Sequence, residues 1–308
     1  MHVTAPRVLG PLLTLALCSG CYSSPPRLSE LGGEGSAALW RAEDGLSLAK
    51  GTKVRRVAVA ELSLELVTHK WIAPLPGALL LDPTMYSDVG IAIQLLGLGR
   101  RTVGWGALEE SLPARLHEAF LDGLRARGLE VVPPAQVART KAWQDYARLE
   151  RDGSSLVRWL NPIGHDTGRI RGFDVVPAPG LAVIDGAQGD REVGDVDVAL
   201  LAETGADLVI RAHFRLGVHE GRASIETGSE LQVTARDQHG VVSSQRSLTS
   251  DEDVASAWFL PFMGLRYDLD APTYTAAADA LFSSYSDGAL DTLGLPGRLD
   301  QRLAAARR

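Results

Sequence analysis

Two histidines, His213 and His219, stand six residues apart in an alternating stretch, so a β-strand would turn both toward one face. A zinc site there would need a third and fourth ligand. Glu220 and Glu230 are the carboxylates at hand in sequence. The pattern therefore predicts polar side chains on the wet face of a sheet and no metal. Arg211 and Arg215 share that face and are placed to pair with Glu226 across a hairpin, contacts worth under about 1 kcal/mol when exposed. A second group, His165-Asp166, falls in a Gly-rich segment of the kind that carries catalytic groups, with Ser154, Ser155 and Thr167 as conceivable nucleophiles. No Gly-x-Ser-x-Gly elbow, His-Glu-x-x-His pair or phosphate-cradling loop ending in Lys accompanies it. The segment reads as a solvated loop, with a hydrolase centred on His165 and Asp166 as the alternative, and no cofactor is implied.

Trp258, Phe259 and Phe262, with Met263 between them and Tyr267, form a dense apolar cluster. Such a cluster either covers a sheet as core or forms a contact surface for a partner or for lipid headgroups, where aromatic side chains anchor well. Trp258, Phe259 and Phe262 are the candidate interaction residues.

The remaining reactive groups are the two thiols, Cys18 and Cys21. Arg7 precedes a mostly apolar run from Val8 to Leu17, and Ser19, Gly20 and Cys21 follow. A basic head, a short apolar stretch and small residues before a cut site predict a secretory signal over residues 1–20. The run is well short of the roughly 20 apolar residues that span a bilayer. Leu17-Cys18-Ser19-Gly20-Cys21 resembles the bacterial lipobox, which implies a diacylated thioether on Cys21. The mature chain would then have no disulfide and no thiolate metal site. Residues 21–50 read as a flexible tether, from the Ser, Pro and Gly that fill Tyr22 to Gly35. Tyr22, and not Asp, follows Cys21, which favours the outer membrane, facing the periplasm.

The net charge of −7 lacks the basic surplus of a nucleic-acid binder. With 45% apolar and 22% charged residues the chain can bury a large core. A single domain is expected over residues 51–295, with insertions near 71–106 and 152–195 and a tail over 296–308.

Several elements must position these residues. Val57 and Val59 alternate on one phase and Leu62, Leu64 and Leu66 on the other, predicting a strand over Val54 to Val67 with a bulge inside it. Leu112, Leu116, Phe120 and Leu124 make the stripe of a helix from Ser111 to Arg127, with Ser111 as cap and Gly128 as terminator. A short strand over Leu129 to Val132 and a helix over Gln136 to Arg151 follow, then a brief strand over Leu181 to Ile184. A helix over Val196 to Thr204 leads to the strongest strand. It starts at Leu208, with Leu208, Ile210, Ala212, Phe214, Leu216 and Val218 inward and the odd positions wet. Turns at Glu220-Gly221 and at Asp237 to Gly240 continue it through Ala223 to Arg236 and Val241 to Leu248 as a meander. A helix from about Thr273 to Leu293 closes the chain. The fold class is α+β: a mixed, largely antiparallel sheet with a three-strand meander, packed by two to four helices.

The strand at Val57, the Ser111 helix, Arg127-Gly128-Leu129-Glu130-Val131-Val132, Thr204-Gly205-Ala206-Asp207-Leu208-Val209-Ile210 and the strands meeting at Asp237 stand in a familiar order. That order resembles lipoproteins of the curli-secretion (CsgG-like) and penicillin-binding-protein-activator (LpoB-like) kind, which share a fold with the TolB amino-terminal domain. The resemblance covers about half of the mature chain. It implies a lipid-anchored binding or assembly module that works by contact with an envelope protein, with oligomers possible; a secretion-ring subunit is a further alternative. It carries over no binding residues.

Overall fold

The computed structural model describes residues 24–31, 35–46, 54–71, 100–146, 173–181, 190–260 and 264–299. In chain order the elements are β1 (Trp40–Ala42), β2 (Arg56–Val67), β3 (His69–Trp71), β4 (Arg100–Gly104), α1 (Leu108–Ala126), β5 (Glu130–Val131), α2 (Pro134–Val137) and β6 (Phe173–Pro177). Then come α3 (Asp190–Thr204), β7 (Leu208–His219), β8 (Arg222–Ile225), β9 (Glu230–Ala235), β10 (Gln238–Ser244), β11 (Leu248–Asp253), β12 (Ala255–Leu260), β13 (Gly264–Leu269) and α4 (Ala271–Thr292).

β2 and β7 run parallel at the centre of a nine-stranded sheet whose main path is β1-β10-β9-β7-β2-β5. β6 pairs antiparallel with the second half of β2, while β8 continues the pairing of β7 and carries β11 on its other edge. A four-stranded sheet, β12-β13-β4-β3, stands beside it. The architecture is the expected α+β one, with β7, β9 and β10 as the meander.

The predicted phase change in β2 is a bulge: the register against β7 slips between Val59 and Glu61. Val57 and Val59 before it, and Leu62, Leu64 and Leu66 after it, thereby all enter one core. The Ala60 carbonyl at the slip accepts a hydrogen bond from the Trp143 indole at 3.2 Å, so the bulge leaves that group satisfied. The main core lies between this face and the helices α1 and α4. Phe214 is at its middle, edge-on to Phe120, Phe282 and Trp40. On the opposite face Ala58, Ala60 and Val209 pack under Leu200 and Leu201 of α3, with Val137 and Ala142, as a smaller core.

That second cover changes one expectation. The odd positions of β7 are not a wet face: Val209 is buried and Arg211 is only 8% exposed. Other boundaries move for local reasons. α1 begins at Leu108, because the amides of Leu108 and Ser111 are already bonded to Trp105 and Ala107; Ser111 therefore lies in the helix and is not its cap. Gly128, at φ 77°, ends it as expected. The helix expected over Gln136 to Arg151 is two pieces, α2 and a stretch at 141–146, divided at Thr140, whose Oγ1 caps the second by accepting from the Trp143 amide; residues 147–151 lie outside the described residues. Leu181 belongs to no strand, and the pairing falls earlier, at β6; residues 182–184 are outside the described set. The second hairpin turns at Arg236-Asp237, since Gln238 already pairs with Ala235, and the strand expected over Ala223 to Arg236 divides into β8 and β9.

The domain also extends past both expected limits. Within the supposed tether, β1 pairs with β10, and the buried Trp40 donates from its indole to the Tyr285 carbonyl at 2.9 Å. Nearer the amino terminus, the Thr249 amide donates to the Pro26 carbonyl at 3.0 Å. Polar composition hid the apolar pair Leu39-Trp40, whose burial repays the ordering of this segment. In the tail, the Pro296 carbonyl accepts from Arg127 at 3.1 Å and Arg298 pairs with Asp287 at 2.7 Å. Arg127, 2% exposed, also meets Asp287 and Asp291 of α4, fastening the C-terminal ends of α1 and α4 together.

At Gly288 of α4 an added Cβ would stand 2.5 Å from the Ser36 backbone. Gly288→Ala is expected to cost about 1–3 kcal/mol by overpacking. Gly123→Ala, whose Cβ would meet only the Asp287 side chain at 4.0 Å, should be neutral or stabilising by up to about 1 kcal/mol. Urea denaturation midpoints of the two variants check the pair.

Candidate functional site

Beyond the smaller core, the same face of the central strands becomes ionic. The β2–β7 register sets Glu61 opposite Arg211, Ser63 opposite His213 and Glu65 opposite Arg215, three successive polar rungs on two parallel strands. Glu65 binds His213 Nε2 at 2.7 Å and also pairs with Arg215. Ser63 Oγ lies 2.7 Å from His213 Nδ1 and 3.3 Å from Glu61 Oε1. Helical neighbours close the network. The Tyr146 hydroxyl donates to Glu61 at 2.8 Å, Arg211 meets Asp197 of α3 at 3.2 Å, and Thr234 donates to Asp197 at 2.9 Å.

Burial and partners pull these groups in different directions. Burial pushes the Glu65 carboxyl up, but hydrogen bonds and charge from His213 and Arg215 outweigh it and hold Glu65 below its ordinary value. At Asp197 burial prevails over Arg211 and Thr234, and the carboxyl is raised. Burial, then the charge of Glu61, lifts the Tyr146 phenol well above its usual range. Asp197 Oδ1 and Arg211 Nε are buried without a hydrogen-bond partner among the described residues, so within that set this end of the network is less completely satisfied than the Glu65 end.

Ser63, His213 and Glu65 have the connectivity of a hydroxyl, base and carboxylate relay. With Nε2–H donating to Glu65, Nδ1 accepts from Ser63; with the ring doubly protonated, Ser63 donates to Glu61 instead. A nucleophile must reach a substrate carbonyl. Ser63 sits inside a central strand paired on both sides and is 0% exposed, so its hydroxyl has no such access. The network is a cross-strand clasp. Arg211 meets Asp197 in place of the expected Glu226, and Arg215 pairs with Glu65; Glu226 accepts from Ser224 at 2.9 Å and from Ser247 at 3.2 Å. The signal in the sequence is Glu61 and Glu65, two carboxylates four residues apart in a largely apolar strand, matching Arg211 and Arg215 in spacing.

The other predicted residues are scattered. Cys21, Phe262, His165 and Asp166 lie outside the described residues. His213 and His219 do not meet at a metal centre: His213 is engaged by Ser63 and Glu65, and His219 lies 4.0 Å from Glu220. No group of three or more His, Cys, Asp or Glu suited to a metal occurs among the described residues. Phe259 is in β12, opposite Leu265 of β13. Trp258 is 58% exposed and stands opposite Arg266, itself exposed, whereas Tyr267 next to it is buried.

Fold and site together define an α+β protein with a buried ionic clasp across its central strands and an exposed tryptophan on an appended hairpin. No protein-family model matches the chain, and neither a curated protein nor a solved structure matches it.

The lowered Glu65 carboxyl adds stability that is complete above the ordinary carboxyl value of 4.5 and is lost as pH falls through the lower folded-state value. Glu65→Gln should therefore cost about 1–3 kcal/mol near neutral pH, by stripping a charged partner from His213 and Arg215. The gap between variant and parent should narrow on acidification to about pH 3. Denaturant midpoints taken at both pH values check the sign.

Proposed function

We propose that this chain is a lipid-anchored binding module of the bacterial cell envelope, fixed through Cys21 to the outer membrane and docking a protein partner in the periplasm. The observation that carries the reading is Trp258, 58% exposed on β12 and opposite Arg266. Large aromatic rings are normally buried, and tryptophan beside arginine is the composition of binding hot spots. Its exposure, next to the buried Tyr267, favours a contact surface over a core role for this part of the aromatic cluster. The lipobox-like Leu17 to Cys21 supplies the anchor in this reading, and two or more acyl chains hold a protein stably where one does not. Recognition is assigned to the hairpin and cohesion to the ionic clasp.

Cys21→Ser should shift the protein from the membrane fraction to the soluble fraction, and mass spectrometry of the parent should find the acyl mass on the Cys21 peptide. Trp258→Ser should change folding stability by no more than about 0.5 kcal/mol, as surface substitutions do, while abolishing crosslinks to a periplasmic protein in cells of the host. Crosslinks that persist undiminished in that variant would remove Trp258 from the contact.

A further inference from the structure

The path of the first described residues bears on how such a protein would stand on its membrane. The segment 24–31 does not hang free. Arg27 makes a parallel bridge to Thr249 of β11, the Thr249 amide donates to the Pro26 carbonyl at 3.0 Å, and Ser29 donates from its amide at 3.1 Å and from its hydroxyl to Asp251. Parallel pairing fixes direction. Because Arg27 lies beside Thr249 and Ser29 beside Asp251, the chain traced backward from Arg27 passes the start of β11 and not its end. Only Tyr22 and Ser23 separate Cys21 from Ser24. Three Cα–Cα steps span at most roughly 11 Å, so a thioether at Cys21 cannot be far from that end of the sheet.

The two ends of β11 differ in chemistry. At its start are the exposed Gln245 and Arg246 and the adjoining turn at Thr227, tied to Ser247. At its finish Asp251, Glu252 and Asp253 are all exposed, three carboxylates against the guanidinium of Arg222 that lies 3.6 Å from Asp253, and the chain leaves there through Val254 into β12. A cation near an anionic headgroup layer is favourable and a row of carboxylates is not. Reach and charge select the same orientation.

We infer, resting on the lipid anchor proposed above, that the domain sits directly against the bilayer with the Gln245–Ser247 end of β11 toward phospholipid headgroups. The acidic end of β11, and the Trp258 hairpin that departs from it, face away from the anchoring membrane. The occupant of the lower surface is the lipid headgroup layer, and the hairpin is directed at a protein and not at its own bilayer.

Cys18 and Cys21 are the only cysteines of the chain, and the acylated Cys21 does not react with maleimides, so an introduced thiol can be labelled alone. The full-length protein, processed in a lipoprotein-exporting host, is prepared as Gln245→Cys and as Ser256→Cys, both exposed positions. Each is labelled with a fluorophore and reconstituted in phosphatidylethanolamine–phosphatidylglycerol vesicles containing a headgroup-nitroxide lipid. The expected result is loss of most of the fluorescence at position 245 and little loss at 256. Adding Ser29→Ala and Asp251→Ala, which releases the docked segment, should bring the two positions toward equal quenching. Quenching that is equal in the parent background, or greater at 256, overturns the orientation while leaving the anchor standing. Absence of acyl mass on Cys21 overturns the anchor itself, and the orientation with it.

Discussion

The parallel pairing of β2 with β7 is the contact on which the other parts of the molecule depend. Each strand is twelve residues long, and each presents a different chemistry on its two faces. On one face leucine, isoleucine, valine and phenylalanine form the floor of the main core. On the other, a short apolar stretch gives way to the rungs Glu61–Arg211, Ser63–His213 and Glu65–Arg215. A slip of one residue would break every rung at once and turn leucines outward. The Ala60 bulge is therefore part of the specification, because it brings the two halves of β2 into phase with an unbulged partner.

From this pair the rest of the domain follows by burial. α1 and α4 cover the apolar face side by side, fastened at their C-terminal ends by Arg127 and paired nearer mid-length by Arg115 and Asp279. α3 and the helical stretch at 141–146 cover the opposite face. There they bring Asp197 and Tyr146 to the charged rungs, so that charges withdrawn from water have hydrogen-bonded partners. Removing one member would strand the others in a low-dielectric layer. The network's geometry ties β2 to β7 in one register, and although the network has the connectivity of a catalytic relay, the Ser63 hydroxyl within it is buried.

The proposed contact surface and the proposed anchor both fall outside this central strand pair. The hairpin β12–β13 joins β4 and β3 in a separate sheet; its Tyr267 enters the main core, while Trp258 and Arg266 are exposed. The amino-terminal segment lies along β11, the strand that leads into that hairpin. In the proposed reading, anchor and contact surface are related through β11 and the strand that follows it.

Local and periodic information was enough for much of the fold. The fourfold spacing of Leu112, Leu116, Phe120 and Leu124, the terminators Gly128 and Gly205, the alternation along β7 and the phase change in β2 each identify an element from a few neighbouring residues, because helix and strand impose fixed repeats on burial. What lay across the sheet was illegible. Whether the odd residues of β7 meet water or Asp197 depends on a helix packing over them, and so does whether Arg211 pairs with Glu226 or with Asp197. The same holds for Trp40, whose polar surroundings in sequence conceal a place in the core, and for Trp258, whose apolar surroundings conceal an exposed one. Pattern along the chain determined which residues form elements; only the packing of elements distant in sequence decided which faces are dry, because burial belongs to the pair of surfaces in contact and not to either strand alone.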